Sequence, residues 1–112
     1  MTNINNLINR RNILNKAIAE NEKLIQNAPE GDLIARKQSN GNFSYTKKIH
    51  MSDKKIKEIY LGRGFSPEVF TLAQKRYAQK VLPLLKEELQ LINKLISFKM
   101  REYEYNKFLK EH

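Results

Sequence analysis

Leu72-Ala73-Gln74-Lys75-Arg76-Tyr77-Ala78-Gln79-Lys80-Val81-Leu82, continued by Pro83-Leu84-Leu85-Lys86-Glu87-Glu88-Leu89, decides how the rest of the chain is read. Val69, Leu72, Ala73, Tyr77, Leu82 and either Val81 or Ala78 recur at helical spacing and predict one apolar face. Gln74, Lys75, Lys80 and Arg76 are expected on the opposite side. Ser66-Pro67-Glu68 opens this helix: serine caps it, proline suits the first turn, and the acid meets the positive end of the dipole. Pro83 removes one backbone donor, so residues 66–110 read as a helical region kinked or split near 83. Beyond it Leu85, Leu89, Ile92, Ile96 and Tyr103 form one stripe, and Leu84, Leu91, Leu95, Phe98, Tyr105 and Leu109 form another. A helix apolar over so much of its girth packs on more than one neighbour.

The natural neighbour is residues 1–28. Ile4, Leu7, Arg11, Leu14, Ile18, Asn21 and Ile25 step by three and four, and Ile8, Ile13 and Leu24 widen that seam. Thr2 or Asn3 caps the start. Asn is a poor helix former and five precede residue 13, so this helix relies on packing rather than propensity. Arg11 and Asn21 on the seam argue for a core helix inside one chain rather than a long dimeric zipper. Pro29-Glu30-Gly31 ends it.

Between the helices the period changes. Residues 32–38 and 42–49 alternate as strands around Ser39-Asn40-Gly41-Asn42, whose Asn-Gly pair permits the positive φ of a tight turn. Phe43 and Tyr45 share one face, Ser44 and Thr46 the other. Residues 56–61 read as a third strand, with a short helix started by Ser52 as the alternative. The expected fold is therefore α+β: a long N-terminal helix, a small antiparallel sheet over 32–61, and C-terminal helices packed on the first. With 112 residues it is expected to be a single domain.

Charge is segregated. Residues 33–86 hold twelve Lys/Arg and three acids, which accounts for the whole net charge of +9, while the remainder is balanced. Clustered cations favour a polyanion partner, because they focus potential and release counterions from phosphates; a plain solubility charge is the alternative. The expected nucleic-acid-binding residues are Arg36, Lys37, Lys47, Lys48, Lys54, Lys55, Lys57, Arg63, Lys75, Arg76 and Lys80. Phe43 and Tyr45 either stack on bases or fill the core. No helix-turn-helix, zinc-finger or single-strand RNA signature is present, so backbone reading is expected over sequence reading. RNA and DNA are not distinguished.

Chemistry has little to work with. His50 and His112 stand alone, cysteine is absent, and no Ser/His/Asp set has usable spacing. Glu87-Glu88 and Glu102/Glu104 lie among lysines on helix faces, and Gly62-Arg63-Gly64 is too short for a phosphate loop. Asp53 with His50 would supply at most two metal ligands. No enzymatic activity, metal or cofactor is expected. The lack of cysteine suits a reducing cytoplasm, and no apolar run approaches the ~18 residues of a membrane span.

Pro29-Glu30-Gly31-x-Leu33, Gly41-x-Phe43-x-Tyr45, Tyr60-Leu61, Leu72-Ala73-Gln74-Lys75-x-Tyr77-x-x-Lys80-Val81-Leu82 and Leu84-Leu85-x-x-Glu88-Leu89 carry a resemblance. Over Pro29 to Leu89 the chain resembles the N-terminal region of a Firmicutes family of uncharacterised proteins, whose C-terminal part is similar to restriction-endonuclease-like nucleases. Pro83 departs from the family's uninterrupted helix. The sequence ends at His112 before the nuclease-like part, so no catalytic residue is carried over. The resemblance implies a stand-alone accessory module with a nucleic-acid-handling ancestry, from a phage or other mobile element. The abundance of Asn, Ile and Lys fits an A/T-rich genome of that kind.

Two functions follow as expectations. One is a non-enzymatic basic module that binds RNA or DNA, free or within a nucleoprotein complex. The alternative is an anti-CRISPR-type inhibitor that binds a bacterial nuclease or its RNA-loaded complex, with Tyr103, Tyr105 and Phe108 as the protein-contact residues. A dimerising role would rest on the heptad seam alone, and the oligomeric state, monomer or dimer, stays open.

Overall fold

The computed structural model describes residues 3–111. Thr2 and His112 therefore lie outside the described residues, and the first helix takes Asn3 as its cap, with the Asn5 amide donating to Asn3 Oδ1 at 2.9 Å. The elements are α1 (Ile4–Asn27), β1 (Asp32–Lys37), β2 (Phe43–His50), β3 (Ile56–Gly62) and α2 (Pro67–Glu111). The fold is α+β. The chain sorts into two compact units, one taking the described residues up to Asn21 with those from Val81, the other Glu22–Lys80.

In the first unit α1 and α2 pack antiparallel, with Ile4 beside Tyr103 and Arg10 reaching Glu88. Leu7, Leu14 and Ile18 are buried, as is Ile96 from α2, so the N-terminal seam runs as its spacing predicts. Ile13 is exposed and does not widen it; Leu24, in the other unit, is exposed as well. Asn21 is accommodated by turning its amide back onto Ala17 O at 2.7 Å, one turn earlier. That bond satisfies a polar side chain at a half-buried seam position.

The second unit is a three-stranded antiparallel sheet in the order β1-β2-β3, covered on one face by the start of α2. The third segment is a strand, not a short helix. The hairpin turn closes through Gly41, at φ 88°, whose amide bonds Gln38 O at 3.0 Å. Leu33, Val69 and Leu72 form the core, with Tyr45, Leu61 and Ala73 against it. Ser66 caps α2 as expected, its Oγ accepting from the Val69 amide at 3.2 Å.

Of the kink or split expected at Pro83, α2 shows no split: it is one helix from Pro67 to Glu111. One missing donor costs about 3 kcal/mol or more locally. The face of its first half is also rotated. Ala78 is fully buried whereas Tyr77 is 67% exposed, and Lys75 turns inward. A small residue lets the helix approach closely; a tyrosine in its place would hold it off.

Candidate nucleic-acid interface

The expected cations all belong to the Glu22–Lys80 unit, and the sheet register separates them. Alternation puts Lys37, Lys47 and Lys57 on the face that α2 covers, and Arg36 and Lys48 on the other. The strand cations are therefore divided between the two faces of the sheet.

Two of these cations are neutralised. Lys47, its side chain only 16% exposed, holds Glu68 at 2.6 Å under the first turn of α2. Arg36 reaches across the sheet to Glu58 at 3.4 Å. These two serve the fold. Two others are bonded but keep their charge. Lys75 Nζ donates to Pro29 O at 3.2 Å and Gly31 O at 3.0 Å, and Arg76 donates to Leu33 O at 3.3 Å. Carbonyls carry no formal charge, so both side chains are fixed in place without being cancelled.

Both pinned cations line one cleft. A cleft of about 340 Å³ opens at the Gly31 end of the sheet, where Lys48 and His50 from β2 meet Lys75 and Arg76 from α2. Asp32 is its one acid, 3.8 Å from His50. Topology brings the β2–β3 turn, with Lys54 and Lys55, to the same end. Lys54 holds a left-handed conformation there, φ 64°. His50, which looks isolated in the sequence, is thus a cleft residue; only the register reveals it.

The other end of the sheet is aromatic. Tyr45 packs on the core and meets Phe65 edge-on, centroids 5.9 Å apart, and Phe65 meets Phe70 in the same way at 5.9 Å. Phe43 shares this face and is exposed, as are Phe65 and Phe70. Lys37, paired with Phe43 in the register, and Arg63, two residues before Phe65, border the group. Of the two aromatics expected from sequence, Tyr45 is a core residue and Phe43 is free to contact a ligand. Phe65 and Phe70 escape sequence reading because they flank the connector and cap, outside any period. Lys80 is exposed near the end of this unit and lines neither the cleft nor the aromatic group.

The tail residues Tyr103, Tyr105 and Phe108 are exposed in the other unit. Tyr103 lines a cleft of about 680 Å³ with Ile4, Met100 and Lys107. No cluster of three or more metal-ligating side chains occurs among the described residues. No helix there is long and apolar enough to cross a membrane. The motif residues Pro29, Gly31, Leu33, Leu72 and Lys75 meet in one small assembly, through the core and the Lys75 bonds. Comparison with family models, curated proteins and solved structures finds no match for the chain.

Proposed function

We propose that this chain is a non-enzymatic basic module that binds RNA or DNA, free or within a nucleoprotein complex. The observation that carries the reading is the cleft at the Gly31 end. There Lys48, Lys75 and Arg76, with His50, face a single acid, and Lys54 and Lys55 stand at the same end of the sheet. Cations around a concave surface suit phosphate oxygens, and Lys75 and Arg76, already held by carbonyls, lose little side-chain freedom on binding. The motif resemblance points to the same partner class and to a phage or mobile-element origin, with the cytoplasm as the place of action.

The test is a salt titration of binding to plain RNA and DNA oligonucleotides by fluorescence anisotropy. Affinity should fall with a log–log slope of roughly 0.7 to 0.9 per phosphate contacted. Changing Lys48, Lys54, Lys55 and Arg63 together to Gln should flatten that slope. Changing Lys94, Lys107 and Lys110 should leave it nearly unaltered. Lys47, Lys75 and Arg76 are kept intact because their bonds belong to the fold. Equal effects from the two sets, or no binding at low salt, would overturn the reading.

A second reading draws on the helix pair. Tyr103 and Tyr105 are exposed, and the apolar cleft beside Ile4 is large enough to seat a side chain of another protein. An anti-CRISPR-type inhibitor directed at a bacterial nuclease, or at its RNA-loaded form, would use these residues. Its basic charge makes DNA mimicry a poor route and contact with guide RNA a better one. Capture of such a nuclease that is lost in Tyr103→Ala/Tyr105→Ala, yet kept in the four-cation variant, would favour this reading over the first.

A further inference from the structure

Leu84, Leu91, Leu95, Phe98, Tyr105 and Leu109 follow one another at intervals of 7, 4, 3, 7 and 4 residues along α2. Each is roughly half to two-thirds exposed, from 48% at Leu95 to 65% at Leu84. The stripe turned towards α1 is a different one, through Leu85, Leu89, Ile92 and the buried Ile96. Glu88 and Glu102 fall inside the two seven-residue gaps, so the steps alternate four and three, the heptad seam of a left-handed coiled coil, which keeps facing its partner only if that partner is another helix. From Leu84 to Leu109 the seam is roughly 38 Å long at 1.5 Å per residue. Its six side chains expose on the order of 600 Å², which with their flanks approaches the ~800 Å² per partner of a standard interface.

We propose that this stripe is a self-association surface, on which α2 pairs antiparallel with α2 of a second copy of this chain. The flanking charges select both the partner and its direction. Glu87, Lys94 and Arg101 run beside the seam at heptad spacing, and all three are exposed. In the antiparallel register that stacks Leu91 on Leu95 of the second copy, Glu87 lies opposite Arg101 of the second copy. Two-fold symmetry repeats that attraction. Lys94 meets its own counterpart at the axis, a single repulsion at an exposed site. A parallel pair would instead set Glu87 beside Ile92, Lys94 beside Lys99 and Arg101 beside Asn106, with a repulsion that symmetry repeats and no attraction. The two acids on the seam already have cations within their own chain: Glu88 is held by Arg10 at 2.6 Å, and Glu102 lies 3.7 Å from Lys99.

The full chain, measured by sedimentation equilibrium across a concentration series, should show twice the 13.2 kDa chain mass at its upper end. Leu91→Glu with Leu95→Glu should weaken association by at least about thirtyfold, as loss of a central hot spot does. Because both residues are exposed, helix content by circular dichroism should stay unchanged. Glu87→Arg should weaken the dimer, and adding Arg101→Glu should restore it. The chain has no cysteine, so single replacements report direction cleanly. Lys94→Cys should form a self-crosslink on mild oxidation and Leu84→Cys should not. A single-chain mass up to the millimolar range would overturn the proposal. So would an unchanged mass in the double variant with helix content intact, or a Leu84→Cys crosslink as ready as that of Lys94→Cys.

Discussion

In the Glu22–Lys80 unit long cationic side chains turn inward, whereas in the helix pair large apolar ones turn outward. Lys47, Lys75 and Arg76 hold the sheet, the α1–β1 turn and the start of α2 together with charged hydrogen bonds. Leu84, Leu91 and Phe98, further along α2, are each more than half exposed. The difference follows from size. The apolar cluster between the three-stranded sheet and α2 holds just Leu33, Val69 and Leu72 as fully packed members, while Ser44 and Thr46 are buried on the opposite face, so polar bonds complete this unit. A helix pair needs only one stripe per helix, and the surplus stripe of α2 remains for something else. Charge in one unit and apolarity in the other are thus both poor guides to where a side chain ends up.

The comparison is broken most severely at the small core. Leu72→Ala should destabilise the chain by about 2–5 kcal/mol, measured by urea titration. Leu91→Ala, at an exposed position of the same helix, should cost under about 0.5 kcal/mol in the monomer. Similar losses from the two would mean that the second stripe is covered.

Gly31→Ala tests how tightly the turn is packed. Gly31 sits at φ 111°, and an added Cβ would come within 2.7 Å of Lys47 Cγ and 3.2 Å of Lys48 O. The side chain can shift; the backbone oxygen and the left-handed conformation cannot be relieved so easily. A loss of about 1–3 kcal/mol is expected, against almost none for Gly64→Ala, which meets open space.

Lys75→Met keeps the stem and removes the charged donor. The two carbonyls it leaves should cost about 1.5–3 kcal/mol, whereas Lys80→Met should leave stability nearly unchanged. If the two variants are equally stable, Lys75 is a surface cation and the inward-turned picture fails.

The smallest effect is electrostatic and lies in the helix pair. Hydrogen bonds from Arg10, at 2.6 and 3.0 Å, hold the Glu88 carboxyl below its ordinary range and raise the Arg10 guanidinium. Folding therefore lowers the Glu88 pKa. The pair's contribution is complete above the unfolded value and is lost as pH falls through the lowered folded one. Carbon-detected NMR titration of Glu88 should show the depressed value, and Arg10→Ala should return it to the ordinary range. Both groups are well exposed, so the accompanying change in melting temperature should be slight.

Much of the fold is legible in the residues. The α1 seam from Leu7 to Ile18, the Asn40-Gly41 turn, the alternation of Phe43–Thr46 and the Ser66 cap are local signals, set by backbone geometry and spacing, and each stands where it is read. Ile13 and Leu24 are indistinguishable from seam residues by hydrophobicity, yet both are exposed. Of the candidate site, sequence supplied the basic composition of the middle segment but not its grouping. Lys47 and Lys48 are neighbours in the chain, yet one is neutralised beneath α2 and the other lines the cleft.

By itself, then, the sequence determined the elements, their order and the placing of all the excess charge between two balanced ends, because propensity, periodicity and charge are properties of neighbours along the chain. Tertiary structure alone decided that Lys75 and Arg76 are pinned to carbonyls and keep their charge, that His50 joins them, that Ala78 rather than Tyr77 meets the interior, and that one apolar stripe of α2 is covered while the other is open. Those outcomes depend on which strand pairs with which, and on the helix rotation that closest packing selects. Both are set by contacts between residues far apart in sequence, and no local pattern encodes them.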